Sequence, residues 1–145
     1  MATIDDLAAL GREESGLAVV STLRADQSIQ SSVVNVGVLL HPLNATPVVG
    51  FVTYGRVKLA NLRARPALTV TVRSGWRWVT AEGEAQLIGP DDPRPDIDAE
   101  RLRLLLREVF VAAGGTHDDW ATYDRVMAEQ RRTAVFLAPR RLYSN

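Results

Sequence analysis

The sequence predicts a mainly β, α+β fold, a small antiparallel β-barrel with peripheral helices, built from six strands and four helices. Three observations carry this. Strand-like runs rich in Val, Thr and Leu follow one another through short turns. Helical patterns do not alternate with those runs, which argues against a doubly wound parallel sheet. The two longer helical patterns at the C-terminal end fall together, just before the last strand. With 145 residues, the chain is read as one domain spanning 1–145, long enough for a proper hydrophobic core.

The elements follow in order. Thr3 precedes an apolar set at Ile4, Leu7, Ala8 and Leu10, with Asp5 and Asp6 in the first turn, so a helix is expected from Thr3 to about Glu14, closed by Gly16. Leu17–Arg24 reads as a strand, Ala25–Ser28 as a polar turn, and Ile29–Leu40 as a long second strand, together a hairpin. On that second strand Gln30, Ser32, Val34, Val36, Val38 and Leu40 share a face, polar at its start and apolar at its end. His41–Thr46 is a turn and Pro47–Thr53 the third strand. A short helix from Arg56 is stopped by Pro66, with Leu59 and Leu62 facing the sheet and Arg56, Lys58, Arg63 and Arg65 expected outside. Ala67–Arg73 is the fourth strand, Ser74-Gly75 a tight turn, and Trp76–Ile88 the fifth strand. Gly89–Asp96 is a Pro/Asp-rich loop. Leu102, Leu105, Leu106, Val109 and Phe110 then recur at helical spacing up to Gly114-Gly115. A last helix, capped by Thr116 or Asp118, buries Trp120, Tyr123, Val126 and Met127, and the final strand runs from Arg131 to near Tyr143.

Composition removes several function classes. Seventeen basic and seventeen acidic residues cancel, which argues against nucleic-acid binding and leaves room for self-association. The absence of cysteine removes disulfides, thiolate catalysis and zinc-thiolate sites. No signal peptide or membrane span is expected, and the expected location is cytoplasmic.

Conventional catalytic constellations are missing. There is no Gly-x-Ser-x-Gly elbow, Walker loop, Gly-x-Gly-x-x-Gly or His-x-x-x-His spacing, so neither a nucleophile nor a metal is selected. His41 reads as a turn residue and His117 as a helix-cap neighbour. Two features stand out instead. The strand, turn and helix around Thr53–Lys58 place Arg56 and Lys58 at a helix N-terminus, where unpaired N–H groups and the helix dipole favour an anion. Taken alone, these two are also ordinary helix-surface cations. On the fifth strand Trp76 and Trp78 share the polar face with Glu82 and Glu84, a pattern of surfaces that meet another subunit or a flat ligand. An anion site beside exposed aromatics, without acid, base or nucleophile, suits a protein that borrows its chemistry from a cofactor.

Several segments carry a family resemblance in their order and spacing: Ser21–Asp26, Arg56-Val57-Lys58, Asn61-Leu62-Arg63 with Arg65-Pro66, Gly75–Val79, Ala81–Ala85, Asp119-Trp120 with Tyr123, Arg131-Arg132, and Pro139–Tyr143. The chain resembles the flavin/deazaflavin oxidoreductases of the split β-barrel superfamily, relatives of pyridoxamine 5′-phosphate oxidase. It is most similar to the actinobacterial branch that uses coenzyme F420. The resemblance implies a six-stranded antiparallel split β-barrel of the FMN-binding type, forming a homodimer with cofactor sites at the subunit interface. It implies that Arg56 and Lys58 grip the phosphate or acidic tail of F420, with Thr53 adding a hydroxyl. Gln30, Ser32 and Val34 are then expected along the ring system, and Trp76 and Trp78 to line the groove or approach from the partner. The implied reaction is hydride transfer from the reduced deazaflavin to an electron-poor double bond of a small molecule, such as an enone, quinone or tetrapyrrole. An FMN-dependent oxidase or reductase on the same fold is the alternative within enzymes. A non-catalytic carrier of flavin, deazaflavin or haem is the alternative outside them.

Overall fold

The computed structural model describes residues Met1–Asn145. Thr3 caps α1 (Ile4–Glu13) reciprocally: its hydroxyl accepts from the Asp6 N–H at 3.1 Å, and the Asp6 carboxylate accepts from the Thr3 N–H at 2.9 Å. That cap sets the helix phase so that Leu7 and Leu10 enter the main core. The hairpin of β1 (Leu17–Leu23) and β2 (Ile29–Asn35) follows, then β3 (Gly37–Leu40) and β4 (Pro47–Thr53). Next come α2 (Arg56–Ala64), β5 (Ala67–Ser74) and β6 (Arg77–Ile88). α3 (Ala99–Ala112) and α4 (Trp120–Glu129) precede β7 (Thr133–Leu137) and β8 (Arg141–Ser144).

All strand pairings are antiparallel, in the order β2-β1-β5-β6-β7-β4-β3, with β8 pairing β6. The sheet has eight strands rather than six because two expected strands are interrupted. The run Ile29–Leu40 breaks at Val36, whose side chain is buried and whose N–H donates at 2.7 Å to the Gly16 carbonyl instead of to a ladder. The last strand breaks at Pro139, which has no N–H to give, and resumes on β6 after the Arg140 N–H bonds to the Glu82 carbonyl. The hydrogen-bonded path is open, yet its two ends, β2 and β3, are joined in the chain through Val36 alone.

Alternate residues of β1, β4, β5, β6 and β7 build the main core, among them Val20, Phe51, Val70, Val72, Val79, Ala81 and Val135. A second cluster of Val48, Ile88, Leu105, Leu106, Val109, Ala134 and Phe136 fastens α3 to β4 and β7. The C-terminal end of α3 comes so close to β3 that a Cβ on Gly37 would lie 2.1 Å from the Ala112 carbonyl oxygen. Only glycine permits that approach, and through it the turn after α3 comes to stand beside the end of β2. The Pro/Asp-rich loop is more ordered than expected. Two isolated bridges, Gly89 with Asp92 and Arg94 with Ile97, and ion pairs from Arg63 to Asp92 and Arg131 to Asp91 hold it. No helix is long and apolar enough to cross a membrane.

Candidate functional site

β4 ends at Thr53, and the chain turns through Tyr54 and Gly55 into α2. Gly55 caps that helix without a side-chain acceptor, and the first turn holds no acidic residue, so its backbone N–H groups face outward with nothing to neutralise them. Thr53 partly ties the turn, accepting at Oγ1 from the Gly55 N–H at 3.2 Å.

Lys58 differs from expectation. It is buried, at 6% exposure, rather than lying on the surface. The inner face of α2 is wider than Leu59 and Leu62 alone: Lys58, Leu59, Asn61 and Leu62 are all covered, which is the i, i+1, i+3, i+4 set of one helix face. The Lys58 ammonium donates to Thr53 Oγ1 at 3.4 Å and lies 5.9 Å from the centre of the Phe51 ring. No carboxylate acts on it, and burial alone pushes its pKa below the usual lysine value. Lys58 is also the only lysine in the chain. A buried cation without an internal counter-ion is costly unless a ligand supplies the negative charge. Arg56, by contrast, is exposed, as expected.

Thr53 and Lys58 open into a cavity of about 740 Å³. The end of β2 contributes Val33, Val34 and Asn35 to it, and the β4–α2 turn contributes Tyr54 and Gly55. α3 and its turn supply Val109, Phe110 and Gly114-Gly115, and His117, Tyr123, Met127 and Arg132 complete the wall. No aspartate or glutamate lines it. Its cations are Lys58 and Arg132 and its remaining wall is largely apolar or aromatic, a combination that fits a flat anionic ligand.

The aromatic wall is packed edge and face. Phe110 and Tyr123 have ring centres 5.0 Å apart, and His117 lies 5.7 Å from Tyr123. Gly115 lets Phe110 sit against its backbone, since a Cβ there would be 2.4 Å from the ring. The Tyr123 hydroxyl donates to the Leu106 carbonyl at 2.8 Å, and burial raises its pKa to about 12, so it stays protonated. His117 accepts the Asp119 N–H at Nδ1 at 2.9 Å, which in the neutral ring leaves Nε2–H as the donor.

The other expected site residues are distributed as follows. Val34 lines the cavity, while Gln30 and Ser32 sit further along the same half-buried face of β2. The Ser32 hydroxyl is buried without any hydrogen-bond partner. Gln30 belongs to a partly buried chain: the Arg65 guanidinium donates to Asn61 Oδ1 at 3.4 Å, Asn61 Nδ2 donates to Thr22 Oγ1 at 3.0 Å, and Thr22 donates to Gln30 Oε1 at 2.9 Å. Within one chain Trp76 and Trp78 are not brought to the cavity. Trp76 stands at the tip of the β5–β6 hairpin, outside the strand and 93% exposed. Trp78 is half-buried against Tyr143, and both tryptophans line a separate shallow concavity with Thr71, Arg73, Gly75 and Asn145.

Sequence reasoning missed Phe110, His117, Tyr123, Met127 and Arg132 as cavity residues. Tyr123 and Met127 read there as an ordinary buried helical stripe, and His117 as a cap neighbour. The Gly114-Gly115 pair was the available signal, because it marks a turn compact enough to lie over another element.

No family model matches the sequence. Solved structures match it over nearly its whole length. A conserved hypothetical protein from Mycobacterium tuberculosis aligns with a TM-score of 0.69 and 19% identity, covering 99% of this chain and 84% of that one. A pyridoxamine 5′-phosphate oxidase-related, FMN-binding protein from Nostoc punctiforme aligns at 0.61 and 14%, covering 99% and 86%. An F420 reductase aligns at 0.57 and 16%, covering 88% of each. At these identities the likeness establishes the fold alone: α+β, with an antiparallel sheet and four helices, matching these solved structures.

Proposed function

We propose that this chain is an oxidoreductase that uses a flavin-type cofactor, coenzyme F420 in the first reading and FMN in the second. The observation that carries the proposal is Lys58, a buried cation with no internal counter-ion in the wall of a carboxylate-free cavity. The N-terminus of α2, Lys58 and Thr53 would hold the phosphate or acidic tail, with Arg56 outside them. Charge-assisted hydrogen bonds of this kind are among the stronger ones. The unpartnered Ser32 hydroxyl fits a ligand lying along β2, with Gln30 and Val34 beside it. When bound, either group supplies hydride transfer to an electron-poor double bond, such as that of an enone, quinone or tetrapyrrole. The protein's own part is to bind, to orient, and to keep water from the aromatic wall of Phe110 and Tyr123.

In this reading the domain spans the whole chain, and β2 with β3 acts as one strand that closes a six-stranded split barrel. The active form is a cytoplasmic homodimer in which Trp76 and Trp78 approach the cofactor of the partner. The outer face of the β1–β2 hairpin supports self-association, because Leu17, Val19, Ile29 and Val33 all stand exposed on it. Val33 also borders the cavity.

Titration of the purified protein with FMN and with F420, followed by absorbance and fluorescence, tests the proposal. Saturable binding of either, coupled to oxidation of the reduced form by an enone or quinone panel, supports it. Binding without turnover across the panel supports the carrier reading, and no binding of either cofactor contradicts both. Val19→Asp with Val33→Asp is expected to give a monomer by light scattering and to weaken cofactor binding at least about tenfold. A variant monomer that binds normally contradicts the shared site.

A further inference from the structure

We propose that Arg132, braced on the Tyr54 ring, is an acid-recognition subsite for the reducible substrate, which makes that substrate a planar conjugated carboxylic acid. This rests on the reading of the cavity as a cofactor and substrate site.

Arg131 and Arg132 are neighbours with opposite fates. Arg131 pairs with Asp91 on the Pro/Asp-rich loop. Arg132 pairs with no carboxylate. Its guanidinium carbon sits 3.8 Å from the centre of the Tyr54 ring, and its Nε donates to Gln130 Oε1 at 2.8 Å. Those two contacts fix the plane of the group and leave both terminal nitrogens without a protein acceptor. Arg132 lines the same cavity as Lys58 and immediately precedes β7, whose Thr133 pairs with Thr53 at the end of β4, so it stands beside the β4–α2 turn although remote from it in sequence. A cavity with two such cations and no acid calls for two negative groups from its ligands. The residue types divide them. An ammonium is a compact point charge, adequate for a phosphate already held by helix N–H groups, whereas a planar guanidinium fork matches a carboxylate in two parallel hydrogen bonds. The same cavity is lined by Tyr123, Met127 and Phe110, which offer a largely apolar surface for the conjugated body of the acid.

The test uses cinnamate and its uncharged isostere cinnamamide, titrated calorimetrically into the full-length protein with and without FMN. Cinnamate is expected to bind at least about tenfold more tightly than cinnamamide. Arg132→Gln removes that preference, Arg132→Lys keeps part of it, and neither changes the FMN dissociation constant by more than about threefold. Equal affinity of the wild type for acid and amide overturns the proposal, as does a preference that survives Arg132→Gln in a folded variant. So does a loss of FMN affinity in Arg132→Gln as large as that in Lys58→Met, since Arg132 would then hold the cofactor. If FMN fails to bind but the acid preference depends on Arg132, the subsite stands and the cofactor reading fails.

Discussion

Two groups of cationic side chains in this molecule are built on opposite plans. On the outer surface of α3 and α4 the arginines are paired: Arg101 with Glu108, Arg103 with Glu100 and Asp124, and Arg107 with Asp124. Hydrogen bonds from Arg107 and then Arg103 hold the Asp124 carboxyl down to about 2, against the opposing effect of its burial. At the cavity, Lys58 and Arg132 are more enclosed than those arginines, yet neither has a carboxylate, and burial pushes the pKa of each below its usual value. A cation whose charge is answered inside the protein serves the fold. Under the proposed function, one that is enclosed and unanswered is the place for an anion from outside.

Each group can be altered without the other. The largest effect is expected at Lys58: Lys58→Met should weaken FMN or F420 binding about 30-fold, near 2 kcal/mol, in an equilibrium titration. The same change should raise the melting temperature of the ligand-free protein by about 3 °C, because it removes an uncompensated buried charge. Asp124→Ala should do the reverse, lowering the melting temperature by roughly 2–4 °C while leaving cofactor affinity unchanged.

Smaller effects follow with pH. Anion binding needs the charged form of Lys58, whose pKa in the folded protein is lowered by burial, so affinity should begin to fall as pH rises while still below the ordinary lysine value, and hold in Lys58→Arg. The stability of the ligand-free protein moves the other way. The cost of the buried charge is full below the folded pKa and vanishes as pH rises through the unfolded value, so wild type should gain on Lys58→Met over that range. For Asp124 the folded pKa is depressed, so its contribution is present above the unfolded value near 4 and lost as pH falls toward about 2. Chemical denaturation of wild type should therefore weaken more steeply over that window than that of Asp124→Asn.

Much of the fold was legible because it depends on local patterns. The reciprocal cap at Thr3, the hairpin through Ala25–Ser28 and the antiparallel order follow from periodicity and turn chemistry. The interruptions at Val36 and Pro139 were not, since Val36 leaves the ladder only because Gly16 and the end of α3 lie beside it in space. The site divides the same way. Thr53, Lys58 and Val34 line one cavity, reached from strands and a turn that the sequence shows, but the depth of Lys58 depends on the full width of the α2 face. Arg132 gave no signal of its own, because the ring that braces it, Tyr54, is remote in sequence and the acid that pairs its neighbour lies on another loop. The separation of Trp76 and Trp78 from the cavity follows from the two-residue hairpin tip, which carries Trp76 away from the sheet.

The most direct measurement is a side-by-side titration of wild type and Lys58→Met with FMN and F420, read together with the melting temperature of each ligand-free protein. Saturable binding in wild type, a loss of affinity of about 30-fold in the variant, and a variant that melts higher are expected. Equal affinity in the two proteins, or a variant that melts lower, would mean that the Lys58 charge is answered within the fold and that the cavity is not an anion site.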